Sequence, residues 1–323
     1  MEKMTRRNLI GTLPWVIPVV GLSLRPLVAA AFAGNSNAEG AVRRKVKYVH
    51  TTFGEIAYSE HGKGNTALFV HGAFLNGYQW RHVVDRVAGL RRTIAVDLMA
   101  HGATKITADQ DVSFAAQAEM LEAVCANLKL GQVDLVANDS GGGIAQIFVA
   151  RHPGRIRTLT LTNCDTYDNW PPESIKRIMA ASEVQFAGII RQWLSDIGSA
   201  RATFSQAYEH PELVSQETFR TYLEPLVQTP ESIHNFHRFF LAADNRQIIA
   251  VEPLLKQLNA PTLIVWGMAD SVFDVKWAYW LRDTIPGTRK VIELEKARLF
   301  FPEERAVELA DALCDHWREV AMV

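Results

Sequence analysis

The sequence predicts an α/β fold, a mostly parallel sheet with helices on both faces, interrupted by one long helical insertion. Three observations carry that expectation. Short β-rich runs alternate with segments of helical periodicity from about residue 45 onward. Several of the runs are almost continuously apolar, as strands covered on both faces are. The alternation lapses once, between about residues 168 and 255, where aromatic residues accumulate without a convincing strand. Strands separated by helices build parallel sheets because each crossover helix must pack back onto the sheet it left.

The elements read in order as follows. Thr5-Arg6-Arg7-Asn8-Leu9-Ile10 opens the chain, an uncharged apolar stretch runs from Leu9 to Leu24, and Ala31-Phe32-Ala33 precedes Gly34. A basic start, an apolar middle and small residues at a cut are the parts of a secretory signal. The paired arginines resemble a twin-arginine signal, so residues 1–33 are expected to export the protein to the periplasm. The apolar stretch is shorter than the ~20 residues a membrane span needs, and Pro14 and Pro18 interrupt it. No stable membrane insertion is therefore expected after cleavage. Strands are expected at residues 46–49, 56–58, 66–70, 93–96, 133–136, 159–162, 262–266 and 291–294. Phe114, Ala118, Leu121, Cys125 and Leu128 form one stripe of a helix over 112–128, and Ala306, Ala310, Leu313 and Trp317 form that of a last helix over 303–320. The resulting organisation is a core in two parts, 34–167 and 256–323, with a helical cap at 168–255 over the carboxyl edge of the sheet, where open α/β sheets bind ligands.

Composition excludes several partners. The 323 residues carry a formal net charge of -1 and are 48% hydrophobic, so no global field attracts nucleic acid or anionic lipid. The three cysteines, Cys125, Cys164 and Cys314, form no C-x-x-C pair, and the histidines are dispersed, so no metal site is implied. Cys125 and Cys314 lie among apolar helix positions and are expected to be buried. Gly141-Gly142-Gly143 is neither a dinucleotide fingerprint nor a phosphate loop with its lysine, so no cofactor is implied.

The most specific signal is Ala137-Asn138-Asp139-Ser140-Gly141, between a β-rich run and a helix expected from Ile144 to His152. It has the strand, sharp turn and helix of a nucleophile elbow, where small neighbours permit a strained backbone. Two registers fit. Ala137 and Gly141 as the small residues centre the turn on Asp139, whereas Gly142 as the second small residue centres it on Ser140 and puts Asn138 at the first small position. The first satisfies both positions and is preferred.

Together with His71-Gly72-Ala73-Phe74, the Trp80-Arg81 pair, Asp97-Leu98-Met99-Ala100-His101-Gly102 and Trp266-Gly267-Met268-Ala269-Asp270, this segment resembles the α/β-hydrolase superfamily. The likeness is to the haloalkane dehalogenase and epoxide hydrolase branch, which attacks with an aspartate. The resemblance implies an oxyanion hole from the backbone of Ala73 or Phe74 and of Ser140, a nucleophile at Asp139, and an orienting acid at Asp270, with Asp165 as a second candidate. It also implies a base histidine after the last strand. Here that stretch reads Glu295-Lys296-Ala297-Arg298-Leu299-Phe300-Phe301-Pro302, and Leu299 or Phe300 takes the histidine's place. His237, His234 and His71 are the candidates to replace it. The branch's halide-binding pattern is also absent, since Ser140 and Ala73 stand where it keeps tryptophan and asparagine. Tyr167, Tyr208 and Tyr222 are available as cap proton donors for an epoxide.

A carboxylate needs no proton removed before it attacks, whereas a serine does. Release of the resulting ester requires an activated water. The expected function is therefore hydrolysis of a small, mostly apolar ester, lactone or epoxide through a covalent intermediate on Asp139. The alternatives are a small-molecule binder that does not turn over, or an esterase using Ser140.

Overall fold

The computed structural model describes residues 45–322. The expected export signal at 1–33 lies outside the described residues. Among these, eight strands form one sheet: β1 (Lys47–Thr51), β2 (Gly54–His61), β3 (Thr66–Val70), β4 (Arg92–Val96), β5 (Val133–Asp139), β6 (Ile156–Cys164), β7 (Thr262–Gly267) and β8 (Thr288–Leu294). Their order is β1-β2-β4-β3-β5-β6-β7-β8. β1 and β2 form an antiparallel hairpin, β2 runs antiparallel to β4, and every later pairing is parallel. The apolar runs expected as strands are all strands, several of them longer than the run itself.

Side chains alternate across β3, and both faces are covered. Ala67 and Phe69 face a layer built with Trp80, Val83, Val84, Leu309, Leu313 and Trp317. That layer comes from α1 (Arg81–Val87) and the terminal helix. Leu68 and Val70 face the other layer, with Phe114, Leu121, Val124, Ile144 and Phe148. Those residues belong to α2 (Phe114–Asn127) and α3 (Ser140–Arg151). α2 starts where Ser113 accepts a hydrogen bond from the Ala116 N–H, a cap that satisfies one of the first-turn donors. β5 sits at the centre of the sheet and is buried at every position.

Between β6 and β7 the chain is helical: α4 (Glu173–Met179), α5 (Glu183–Ser195), α6 (Ile197–Phe204), α7 (Gln216–Val227), α8 (Pro230–Ala242), α9 (Asn245–Ile249) and α10 (Glu252–Leu255). These helices meet the sheet through Phe74, a residue of the loop after β3. Its ring lies 5.0 Å from that of Phe240, 5.4 Å from Phe236, 5.6 Å from Trp193 and 6.0 Å from Phe204. After β7 comes α11 (Lys276–Thr284). The single last helix expected over 303–320 is instead a short α12 (Phe301–Glu304) and α13 (Ala306–Ala321), broken at Arg305. At the break Arg305 has φ -112° and ψ 37°, and its guanidinium pairs with Glu209 of the insertion, with contacts of 2.7 to 3.0 Å. All three cysteines are free thiols, and Cys314 is half-buried rather than buried as expected.

Candidate active site

β5 ends in a bend. Asp139 has φ 55° and ψ -132°, and α3 begins at the next residue. Such a backbone costs a non-glycine residue about 1–3 kcal/mol, so its surroundings must enforce it. Close approach of the β3 exit does so. A Cβ on Gly141 would lie 2.4 Å from the His71 carbonyl oxygen, and one on Gly72 would lie 2.3 Å from Asp139 Oδ2. Only glycine permits either contact.

The Asp139 side chain is 6% exposed, and its carboxylate accepts hydrogen bonds from the backbone N–H groups of Ala73 and Ser140. Burial pushes this carboxyl up to about 7; the two N–H groups pull it down, and the negative charge of Asp270 raises it further. Near neutrality it is therefore part ionised. Of the residues expected to form an oxyanion hole, Ala73 and Ser140 direct N–H groups at position 139. Phe74 contributes its ring to the chamber wall instead.

Asp270, in the loop after β7, is held by three donors. Asn163 Nδ2 bonds its Oδ2 at 2.6 Å, Val272 N–H bonds its Oδ1 at 2.7 Å, and the Phe273 N–H adds a third bond. Burial pushes it up to about 6. Asn163 also bonds both backbone groups of Gly267, at 2.6 and 3.1 Å, which fixes the loop on the β6 end. Asn138 is the matching device at the β5 end. Its amide donates to Thr162 Oγ1, Asn163 O and Leu299 O at 2.9 to 3.1 Å, and accepts from Gln79 Nε2 at 2.6 Å. Four loops are thus locked by two buried amides.

Asp139 opens into a chamber of about 130 Å³. Its walls are Ala73, Phe74, Trp170, Trp193, Phe204, Val272, Leu299 and Phe300, with Ile175 and Ile178 of α4 toward the outside. Thr203 and Gln206 also line it and are exposed, so the chamber reaches solvent there. Leu299 and Phe300, the residues at the expected base position, present carbon to the chamber.

The three candidate bases are corrected by the geometry. His71 is fully buried: its Nε2 accepts the Leu98 N–H at 2.9 Å, so its Nδ1 carries the proton that goes to Gly72 O at 2.7 Å. Burial holds it well below the ordinary histidine value, and no ring nitrogen is left for a water. His234 pairs with Glu183 at 2.8 Å near the surface, and His237 Nε2 lies 2.9 Å from Ala181 O with its ring against Phe186. None of the three lines the chamber.

The tyrosines expected as proton donors are likewise committed elsewhere. Tyr208 and Tyr222 both donate to Glu303, which also pairs with Arg81, and Tyr167 lies outside the chamber with its ring tilted against Trp280 at 5.0 Å. Asp165, the second candidate acid, is sealed beneath the bend with both oxygens lacking a partner in normal geometry, and burial keeps it well above the ordinary carboxylate value. Burial thus disfavours its charged form, whereas Asp270 is held by donors that favour the charge. Ser140 Oγ is buried beside Asp165 rather than in the chamber.

A family model described as the alpha/beta hydrolase fold matches residues 66–304. The chain belongs to the α/β-hydrolase fold family. Among curated α/β-hydrolase relatives, the monoacylglycerol lipase abhd6-A of Xenopus laevis is 26% identical over 254 residues, 76% of this chain and 74% of that protein. A haloalkane dehalogenase of Agrobacterium fabrum is 32% identical over 123 residues, 36% of this chain and 40% of that one. An α/β-hydrolase fold protein from Burkholderia ambifaria superposes with TM-score 0.73 at 22% identity, covering 83% of this chain and 97% of the other. The epoxide hydrolase CorEH does so with TM-score 0.72 at 16% identity, covering 85% and 99%. At those identities the structural likeness speaks for the fold.

In this α/β-hydrolase, the residues that sequence reasoning missed are Gln79, Asn138 as a tether, and Asn163. Asn138 and Asn163 each sit at the end of an apolar strand run, which marks a buried amide needing partners. Which loops they hold depends on contacts 25 to 161 residues apart in the chain.

Proposed function

We propose that the protein is a hydrolase-type enzyme whose nucleophile is the Asp139 carboxylate and whose substrate is a small, mostly apolar electrophile such as an epoxide, lactone or ester. The observation that supports this reading most directly is the strained bend at Asp139. It turns a carboxylate, and not the Ser140 hydroxyl, into a chamber walled by carbon. A serine nucleophile also needs a base to take its proton, and no imidazole lines the chamber among the described residues.

For an epoxide, an Asp139 oxygen forms a bond to a ring carbon as that carbon's bond to the ring oxygen breaks. The ring oxygen leaves as an alkoxide and takes a proton from water at the Thr203 and Gln206 mouth. Breakdown follows when water adds to the Asp139 ester carbonyl. The N–H groups of Ala73 and Ser140 then face the oxygen that gains charge, an arrangement that lowers such barriers by about 2.7–4 kcal/mol per donor. No base is positioned for that water, because Leu299 and Phe300 occupy the wall, so the ester accumulates and breaks down slowly.

The test is mass spectrometry of the intact protein after exposure to a panel of epoxides, lactones and activated esters. A covalent mass on the peptide containing Asp139 is expected in the wild type and in Ser140→Ala, and none in Asp139→Asn. An adduct that survives Asp139→Asn but vanishes in Ser140→Ala assigns the chemistry to the serine. No adduct with any class leaves a binding protein.

A further inference from the structure

We infer that Gln206 is a specificity-determining residue, and that the ligand is an apolar body carrying one hydrogen-bonding group, such as a hydroxyl or carbonyl. The inference deepens the reading of the chamber as the substrate site and rests on it. Apart from the indoles of Trp170, whose N–H goes to Ala243 O at 3.0 Å, and Trp193, which offers a donor but no acceptor, the lining residues with polar side chains are Asp139, Thr203 and Gln206. Asp139 is the reacting group, and its carboxylate is occupied by Ala73 and Ser140. Thr203 spends its hydroxyl hydrogen on Ser199 O at 3.0 Å, within its own helix. The Gln206 carboxamide, with two N–H donors and a carbonyl acceptor, makes no hydrogen bond among the described residues.

Its backbone, in contrast, is pinned on both sides. The Ser205 carbonyl accepts from the Arg298 guanidinium, and the Ala207 carbonyl accepts from the Phe300 N–H at 2.8 Å. Arg298 and Phe300 flank Leu299, so the segment opposite the nucleophile also sets where residue 206 stands. The chain one step further is tied as firmly: Tyr208 donates to Glu303, and the Glu209 and His210 N–H groups donate to Glu304 at 2.8 and 2.7 Å. A fixed backbone that presents an unengaged amide at the mouth of a carbon-walled chamber selects among ligands by what they offer that amide. A ligand without a partner leaves the amide in water at no cost. A ligand with a hydroxyl or carbonyl at the mouth gains a bond. At about 130 Å³ the body is on the scale of one aromatic ring.

The experiment uses isosteric pairs on the full chain. Covalent labelling is followed with 5,6-epoxyhexan-1-ol and 1,2-epoxyheptane, and non-covalent binding is measured by calorimetry with benzyl alcohol and toluene. Gln206→Leu is expected to slow labelling by the hydroxylated epoxide about 3- to 10-fold and to weaken benzyl alcohol by a similar factor, while the apolar partners are unchanged or improved. Gln206→Asn, with the same amide on a shorter stem, is expected to recover part of the preference. Equal effects on both members of each pair, or no effect, overturns the assignment. Should neither epoxide label Asp139 while the benzyl alcohol preference still moves with Gln206→Leu, the nucleophile reading fails and the role of Gln206 stands. Absence of binding by all four compounds overturns both.

Discussion

Replacing Asp139 by asparagine separates a carboxylate kept for chemistry from one kept for structure. In the fold this carboxyl is pushed up to about 7, chiefly by burial, from an ordinary value of 3.8. The sign follows from proton counting. Between about pH 4 and pH 7 the unfolded chain has released this proton and the folded chain still holds it. Stability is therefore undiminished below pH 4 and is lost as pH rises through about 7. The full difference corresponds to roughly 4 kcal/mol, an upper figure because Asp165 and Asp270 share the same field. Asparagine has nearly the same shape and no charge to bury. Asp139→Asn is therefore expected to match the wild type near pH 4 and to exceed it by about 2 kcal/mol at pH 8, on the order of 4–8 °C in melting temperature. Urea unfolding of both proteins at pH 4, 6 and 8 measures the gap. A variant less stable than the wild type by a constant amount at every pH would refute the reasoning, since that is what loss of a structural, charge-paired carboxylate does.

Three other outcomes follow from the same geometry. The rate of adduct formation should rise with pH through about 7 and level off above it, because only the ionised Asp139 attacks; a rate flat from pH 5 to pH 9 removes Asp139 as the nucleophile. Leu299→His or Phe300→His, each placing an imidazole in the chamber wall, should speed loss of a preformed adduct by about 100-fold or more, read as decay of the adduct mass. Unchanged decay in both variants would mean that a missing base is not what limits release. Glu303→Gln should destabilise the protein by about 1–3 kcal/mol in urea, because Arg81, Tyr208 and Tyr222 all bond this buried carboxylate. A loss under 1 kcal/mol would show that this cluster does not bind the helical insertion to the sheet.

Much of the architecture was legible in the sequence because it depends on local periodicity. Apolar runs such as Thr66–Val70 cannot sit anywhere but between two covered faces, and the stripe through Phe114, Leu121 and Cys125 can only bury one side of a helix. The bend at Asp139 was legible for a similar reason: a strand, a short run of small residues and a helix admit few backbone paths. Arg305 was not. Its helical periodicity continues through the break, and its pairing with the distant Glu209 is a tertiary contact that local pattern does not announce.

At the candidate site, local sequence singled out Asp139 and Asp270 by their places after β5 and β7, and it exposed carbon at 299 and 300 where an imidazole was expected. It did not separate Asp270 from Asp165, nor exclude His71, His234 and His237, nor connect Asn138 to Leu299. Those distinctions rest on solvent access and on hydrogen-bond partners brought together from 27 to 161 residues apart in the chain. A side chain's proton affinity and reach are properties of its surroundings, and chain order alone does not specify them.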